Sequence, residues 1–264
     1  KKYTDKCILV DNFGGYMNPV KDGFIDFRKQ RFSSLKNIII ERCDTSNYKA
    51  LSSIIIKYKP NYVYHTAALP LAKVSNLNNE EAKVSSVDST LNIIDAINFM
   101  KNSNKNFKFN RFIYFSSSMV YGDFKKSIVN ENSEKNPKDA YGIMKLAGEV
   151  VTEGLCRLHD IPYTIIRPSA VYGPKDMNRR VSQIFIESAF QNKEIYIQGK
   201  DEKLDFTYIK DLANGSILAA RSKKGINEIF NITCGKGQTL LSYVIYLKKK
   251  FPNIKYIIKK RDKS

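Results

Sequence analysis

Tyr141 and Lys145 stand four residues apart in the run Tyr141-Gly-Ile-Met-Lys145. On a helix this spacing puts both side chains on one face, one turn from each other. An ammonium beside a phenol favours the phenolate, so such a tyrosine can take and return a proton near neutral pH. Upstream lies Phe112-Ile-Tyr-Phe-Ser-Ser-Ser-Met-Val-Tyr-Gly122, an apolar run that leads directly into three serines and then a turn glycine. Hydroxyls at the carboxyl end of a parallel strand line the crevice where open α/β sheets bind ligands. Tyrosine and lysine are common in this chain, so the Tyr–Lys spacing alone could be a surface pair. With the serines upstream in this order, the two runs together describe a proton-transfer site.

Such a site needs elements to hold it. Short β-rich runs predict strands at Cys7–Val10, Ile38–Ile40, Tyr62–His65, Phe112–Phe115, Tyr163–Ile166 and Glu228–Ile232. Several are continuously apolar, as strands buried on both faces are. Helical patterns lie between them, at Ser46–Tyr58, Glu80–Met100 and Asp139–His159. The second carries Val84, Val87, Leu91, Ile94 and Ile97 on one stripe. Alternation of this kind predicts βαβ units and a doubly wound parallel sheet. After Arg167 the rhythm changes. Pro168, Gly173 and Pro174 mark a loop, followed by a helix at Val181–Gln191, strands at Ile195–Ile197 and Phe206–Ile209, and a helix at Leu212–Arg221. The segment Asn102–Asn110 reads as a surface loop.

Composition bounds the class. The 264 residues are 42% hydrophobic and 27% charged, enough for a sizeable core and outside the range of a disordered chain. No run of about 18 apolar residues exists, and the opening residues do not form a signal peptide, because the apolar run ends at Asp11. Cys7, Cys43, Cys156 and Cys234 are scattered, with no CxxC pair and no Cys/His spacing for a metal. A reduced, cytoplasmic protein without a metal is the expectation. The net charge of +18 invites a nucleic-acid partner. The cations, however, are 34 Lys and 10 Arg spread along the chain, whereas nucleic-acid readers concentrate Arg and exposed aromatics on one face. No specific nucleic acid is expected. The basic residues Lys248 to Lys250 and Lys259 to Arg261 read as solvated helix ends and a frayed terminus.

The chain resembles the extended short-chain dehydrogenase/reductases, the NAD-dependent epimerase/dehydratase family. The resemblance rests on Val10-Asp11-Asn12, Cys43-Asp44, His65-Thr-Ala-Ala68, Phe115-Ser-Ser-Ser-Met-Val-Tyr-Gly122, Tyr141-Gly-Ile-Met-Lys145, Arg167-Pro-Ser-Ala-Val-Tyr-Gly-Pro174 and Asp205-Phe-Thr-Tyr-Ile-Lys-Asp-Leu212. It implies an α/β fold: a Rossmann-like doubly wound parallel sheet with a smaller mixed α/β substrate-binding region. The NAD-binding part would span residues 1–167. Residues 168–264 would be mainly substrate-binding, with some segments returning to the main domain. It implies a catalytic Ser117, Tyr141 and Lys145, with Tyr141 the acid/base and Lys145 holding the nicotinamide ribose. Asp11 and Asn12 would sit at the adenosine ribose, Asp44 at the adenine, and Ala67 and Ala68 would pass their backbone beside the cofactor. A carboxylate at Asp11 repels a 2′-phosphate, so NAD is expected over NADP. His65 is expected to be a packing residue at a strand end.

Departures from the family pattern shape the rest. The glycine-rich strand–turn–helix that opens the family fold is absent, and Gly14-Gly15 falls on the wrong side of Asp11. The sequence is therefore expected to begin just before the family's second strand, about 25–30 residues short, and to stop within a strand-and-loop pattern. A stretch without that turn lacks the main pyrophosphate donors and is expected to bind NAD poorly. Ser118 and Met119 stand where dehydratases and decarboxylases carry acidic residues, which argues against elimination. Ala170 replaces an Asn that contacts the substrate diphosphate, and Leu204 replaces an Arg. Arg179 and Arg180 could supply that clamp, or form a solvated charge pair. Ser86 and Ser89 replace an Asn and a Gly. The resemblance thus implies an NAD-dependent nucleotide-sugar epimerase acting by transient oxidation to a ketosugar and hydride return, as a homodimer in full-length form. The alternatives are a nucleotide-sugar 4-reductase or dehydrogenase, and a non-catalytic dinucleotide-fold binding or regulatory protein.

Overall fold

A computed structural model of the chain describes residues 6–13, 37–69, 79–124, 128–174, 176 and 180–260. The chain forms two compact units. One comprises Lys1–Ile166 and Ser222–Phe230, the other Arg167–Arg221 and Asn231–Ser264.

The first unit holds two hydrogen-bonded ladders. Strand β1 (Cys7–Asp11) pairs in parallel with β2 (Ile38–Arg42), Asp11 opposite Arg42. Strands β3 (Tyr62–His65), β4 (Arg111–Phe115), β5 (Tyr163–Pro168) and β9 (Glu228–Ile232) form the second in that order. The β3–β4 and β4–β5 pairs are parallel. Among the described residues β1 and β3 share no ladder. Helix α1 (Tyr48–Tyr58) joins β2 to β3, and α4 (Ala140–Leu158) joins β4 to β5. Parallel neighbours joined by a helix are the βαβ units that the alternating pattern predicts.

Local chemistry sets the helix ends. Asn47 caps α1 by accepting from the Ala50 N–H, and Lys59 ends it at φ 46, just before Pro60. Asp139 caps α4 by accepting from the Gly142 N–H at 2.7 Å. The helix expected over Glu80–Met100 is found as α2 (Asn79–Lys83), a π-helical turn (Val84–Asp88) and α3 (Ser89–Ser103). The apolar stripe does not reveal the wider turn, because a π turn adds one residue without removing apolar positions from the buried face. Leu51 and Ile55 of α1, Ile93, Ile94 and Ile97 of α3, and Phe112 and Tyr114 of β4 form one core.

In the second unit, β6 (Ala170–Tyr172) pairs in parallel with β8 (Lys203–Tyr208), and β10 (Gly237–Thr239) pairs antiparallel with β8. Strand β7 (Ile195–Gln198) pairs in parallel with β11 (Tyr256–Lys259). Helices α5 (Val181–Phe190) and α7 (Leu240–Lys248) pack Phe185, Ala189, Val244 and Leu247 on Ile195 and Ile197. Helix α6 (Ile209–Arg221) follows β8 directly. Lys259 is no part of a frayed end: it pairs in register with Gln198, and its Nζ lies 4.4 Å from the Tyr196 ring centre. The ladder bonds of β11, which a basic tail does not advertise, hold it there.

Two glycines test this architecture in opposite directions. Gly122 sits at φ 65, ψ −136, and a Cβ there would lie 2.0 Å from the Asn136 carbonyl oxygen. Gly154, inside α4, has no atom within 4 Å of such a Cβ. Gly122→Ala is expected to lower the unfolding free energy by about 1–3 kcal/mol, and Gly154→Ala to raise it by about 0.5–1 kcal/mol. Denaturant unfolding followed by circular dichroism checks both signs.

Candidate active site

The β4 strand ends at Phe115, and the chain continues through Ser116 and Ser117 into a 3₁₀ turn (Ser118–Tyr121). Ser117 caps that turn, its Oγ accepting from the Met119 N–H at 3.2 Å, and is 8% exposed. Helix α4 starts against the same turn. A Cβ at Gly142 would lie 2.8 Å from the Met119 carbonyl oxygen, so a glycine beside Tyr141 lets helix and turn meet. One turn along, Lys145 is 4% exposed and donates from Nζ to the Phe115 carbonyl at 2.7 Å. The same Nζ lies 5.8 Å from the Tyr141 ring centre and 5.3 Å from that of Tyr114. The three candidate catalytic residues thus converge on the carboxyl end of β4. Ser118 opens the 3₁₀ turn there, and Ser116 Oγ is buried with no hydrogen-bond partner among the described residues.

Burial pushes the Lys145 ammonium down to about 8, against a smaller opposing pull from Glu149. Glu149 is itself buried, one turn further along α4. Of the three protons on Nζ, one is held by the Phe115 carbonyl, which leaves two for a ligand.

His65, at the end of β3, is 3% exposed and stacks on Phe112 with ring centres 6.1 Å apart. Its Nε2 lies 3.1 Å from Thr90 Oγ1 and 3.2 Å from Ser89 Oγ. Both hydroxyls donate elsewhere, Thr90 to the Ser86 carbonyl and Ser89 to the Ser85 carbonyl. Each hydroxyl has one proton, so the imidazole must carry its hydrogen on Nε2 and leave Nδ1 bare. Burial, and then the Lys145 charge, push its pKa down to about 3, so the ring is neutral. His65 is the packing residue the sequence suggests, and Ser86 and Ser89 are buried members of the same network. Among the described residues no group of three His, Cys, Asp or Glu could hold a metal ion.

Ala67 and Ala68 follow β3 at the same end of the ladder as Ser116 and Ser117, since His65 pairs with Tyr114. At the ends of β1 and β2, Asp11 Oδ1 accepts from the Phe13 N–H at 2.7 Å, and Asn12 Nδ2 donates to Asp44 Oδ2 at 3.0 Å. Asp44 Oδ1 accepts from both the N–H and the hydroxyl of Ser46. The Ser46 backbone bond, then the Asn12 and Ser46 side chains, hold the Asp44 carboxyl below its usual range. Asn92 of α3 donates to the Thr45 and Ser46 carbonyls and ties this loop to the helix that also binds His65. In the second unit, Arg180 stands just before α5 and donates from Nη1 to the Val171 carbonyl at 3.4 Å, with its Nε buried and unpartnered among the described residues. Arg179 and the Gly14-Gly15 pair lie outside the described residues. Tyr114, Gly148 and Glu149 border the site but carry no motif of their own.

Comparison with known proteins converges on one family. The model of the NAD dependent epimerase/dehydratase family matches residues 24–233. The chain spans about half the length of two curated relatives, 49% and 53%. The second of these is the dTDP-D-glucose 4,6-dehydratase of Dictyostelium discoideum, 25% identical over 88% of this chain. The UDP-glucuronate 4-epimerase of Thermodesulfobacterium geofontis is 26% identical over 91% of this chain and 71% of its own length. The fold superposes on the crystal structure of UDP-glucuronic acid 4-epimerase from Bacillus cereus, in complex with UDP-glucuronic acid and NAD. The TM-score is 0.84 at 26% identity, over 97% of this chain and 78% of that one.

The buried Lys145 has a signature in stability. A lysine with a folded pKa of about 8 against an ordinary 10.5 binds fewer protons folded than unfolded between those values. Its charge therefore costs stability below pH 8, and that cost is relieved as the pH rises toward 10.5. The unfolding free energy of the wild type minus that of Lys145→Met should rise with pH across this window. A flat difference would mean that Lys145 is solvated in the folded protein.

Proposed function

Since this chain belongs to the NAD dependent epimerase/dehydratase family, we propose that it is part of an NAD-dependent nucleotide-sugar epimerase. The observation that carries the reading is the convergence of Ser117, Tyr141 and a buried Lys145 on one strand end. The residues suit the cofactor. The two free protons of Lys145 fit ribose hydroxyls, and the Asp11 carboxylate fits the adenosine ribose. Ser116 Oγ is a buried hydroxyl with a bond to make. Asp11, Asn12, Asp44, Ala67, Ala68, Tyr141 and Lys145 would hold NAD, which supplies a hydride acceptor that can return what it takes.

With NAD bound as the hydride acceptor, Tyr141 Oη would take the proton of the sugar hydroxyl whose carbon is oxidised. Ser117 Oγ hydrogen-bonds the reacting oxygen. Lys145 lends its charge to the Tyr141 phenolate and its protons to the ribose. Tyr141 would give the proton back to the oxygen of the ketosugar once the sugar presents its other face. Ser118 and Arg180, with Arg179, would bind the nucleotide diphosphate sugar. Two relatives are UDP-glucuronate 4-epimerases, and Met119 offers no acid for the elimination that the Dictyostelium relative's name implies.

Tyr141→Phe in the protein as its gene encodes it is expected to lower turnover of UDP-sugar epimers by about 10²-fold or more, with NAD affinity nearly unchanged and NAD bound more tightly than NADP. Proton NMR of the sugar anomers and titration of the two dinucleotides read this. Net accumulation of NADH would replace epimerisation with dehydrogenation, and unchanged turnover would remove Tyr141 from the mechanism.

Location and assembly are part of the same proposal. No helix among the described residues is long and apolar enough to cross a membrane, and all four cysteines are free, in keeping with a cytoplasmic site. Ile143, Val150 and Leu158 are exposed at steps of seven and eight on α4, with open space over Gly154 between them. An apolar stripe repeated in an identical copy can meet itself about a twofold axis, so a homodimer is proposed. Light scattering should give twice the chain mass for the wild type and the single mass for Val150→Glu/Leu158→Glu. A monomeric wild type at micromolar concentration would refute the dimer.

A further inference from the structure

Tyr114 is fully buried near the carboxyl end of β4. A buried tyrosine hydroxyl must find a partner, and this one donates to the carbonyl of Lys145 at 3.3 Å. The same ring lies under the ammonium of the same residue, 5.3 Å from Nζ to the ring centre. Tyr114 therefore holds Lys145 at both ends, by its backbone and by its charge. The next residue on the strand, Phe115, supplies the carbonyl that accepts from Nζ.

This contact requires a gap in α4. A Cβ at Gly148 would lie 2.1 Å from Tyr114 Oη and 2.6 Å from Cζ. It would also lie 3.2 Å from the Ser86 carbonyl of the π-helical turn. No ordinary side-chain adjustment relieves 2.1 Å, because the ring is packed by β3 and α3 behind it, with His65 at 5.8 Å. The large residue on the strand and the missing one on the helix are matched in shape.

We propose that Tyr114 is a positioning residue for Lys145, seated by Gly148, and that it keeps the ammonium charged and aimed along the end of β4. The inference rests on the role given to Lys145 above. The groups facing that ammonium are Tyr141 and Glu149 from α4, Tyr114 from β4 and, behind Tyr114, the neutral His65 from β3. Among the described residues only Glu149 carries a full opposite charge there. The face of an aromatic ring stabilises a desolvated cation, so removing it should make Lys145 easier to deprotonate.

The test uses protein with ¹³Cε-labelled lysine, without substrate or cofactor. The Lys145 signal is identified by its loss in Lys145→Met and titrated from pH 6 to 11. Tyr114→Phe keeps the ring and should leave the Lys145 pKa within a few tenths of a unit. Tyr114→Leu should lower it by about one unit, a tenfold change in acid dissociation. Gly148→Ala should lower it too, by driving the ring away. The double variant Tyr114→Leu/Gly148→Ala fills the void, so it should recover thermal stability lost by the single variants while Lys145 keeps the lowered pKa. That split separates positioning from packing. If Lys145 titrates alike in the wild type and in the double variant, the proposal is overturned. Because the titration needs no turnover, a protein that epimerises nothing yet shows these shifts would refute the proposed function and leave the positioning role standing.

Discussion

An ammonium group has been taken out of water at the end of β4, and the surrounding structure is arranged to make that tolerable. Lys145 is 4% exposed, and an unpaired buried charge would cost several kcal/mol. Its one direct oxygen partner among the described residues is the Phe115 carbonyl. Two aromatic faces and the buried Glu149 complete the shell. Because its pKa stays near 8, the group remains mostly protonated at neutral pH while sitting close to the point where it can respond to a ligand. A lysine kept charged at that price beside a tyrosine is what a proton-transfer site requires.

Holding α4 in place is the task of short contacts that leave no room for side chains. Gly142 meets the Met119 carbonyl, Gly148 meets Tyr114, and Asp139 secures the first turn. Packed against α4, α3 does the equivalent work with hydroxyls. Ser89 and Thr90 donate to carbonyls of the π-helical turn and receive the His65 N–H, and Asn92 grips the loop that carries Asp44. One helix thus connects the candidate adenine end of the site to its candidate catalytic end. Asp44 is already well engaged by Ser46 and Asn12. Its carboxylate is a fixed acceptor, and the loop pays no further ordering entropy for a ligand that uses it.

The second unit shows the same economy in residues that a motif reading would assign to function. Asp205, in the Asp205-Phe-Thr-Tyr run, accepts from the N–H groups of Cys234 and Gly235 and so ties β8 to the loop before β10. Phe206 stacks on Tyr243 with ring centres 4.9 Å apart. Gly173, in the Arg167-to-Pro174 run, would push a Cβ to 2.4 Å from Ile209 Cγ2 at the start of α6. These motif residues are occupied by the fold.

The sequence by itself determined the alternation of strands and helices, the strand cores, and the Tyr–Lys and serine runs. All of these are local: they follow from periodicity and from spacing along one element. Only the tertiary structure decided the π-helical turn, the strands β6, β10 and β11, the tautomer of His65 and the pairing of Tyr114 with Gly148. Strands of three or four residues are made by their ladder partners more than by their own composition. A tautomer depends on where neighbouring hydroxyls have already sent their protons, and here those neighbours are 24 and 25 residues away. Tyr114 and Gly148 are ordinary residues in their own elements. They acquire a role only when a strand and a helix approach so closely that one ring fits and one methyl group does not, and a contact across 34 residues of chain leaves no mark in the pattern of either.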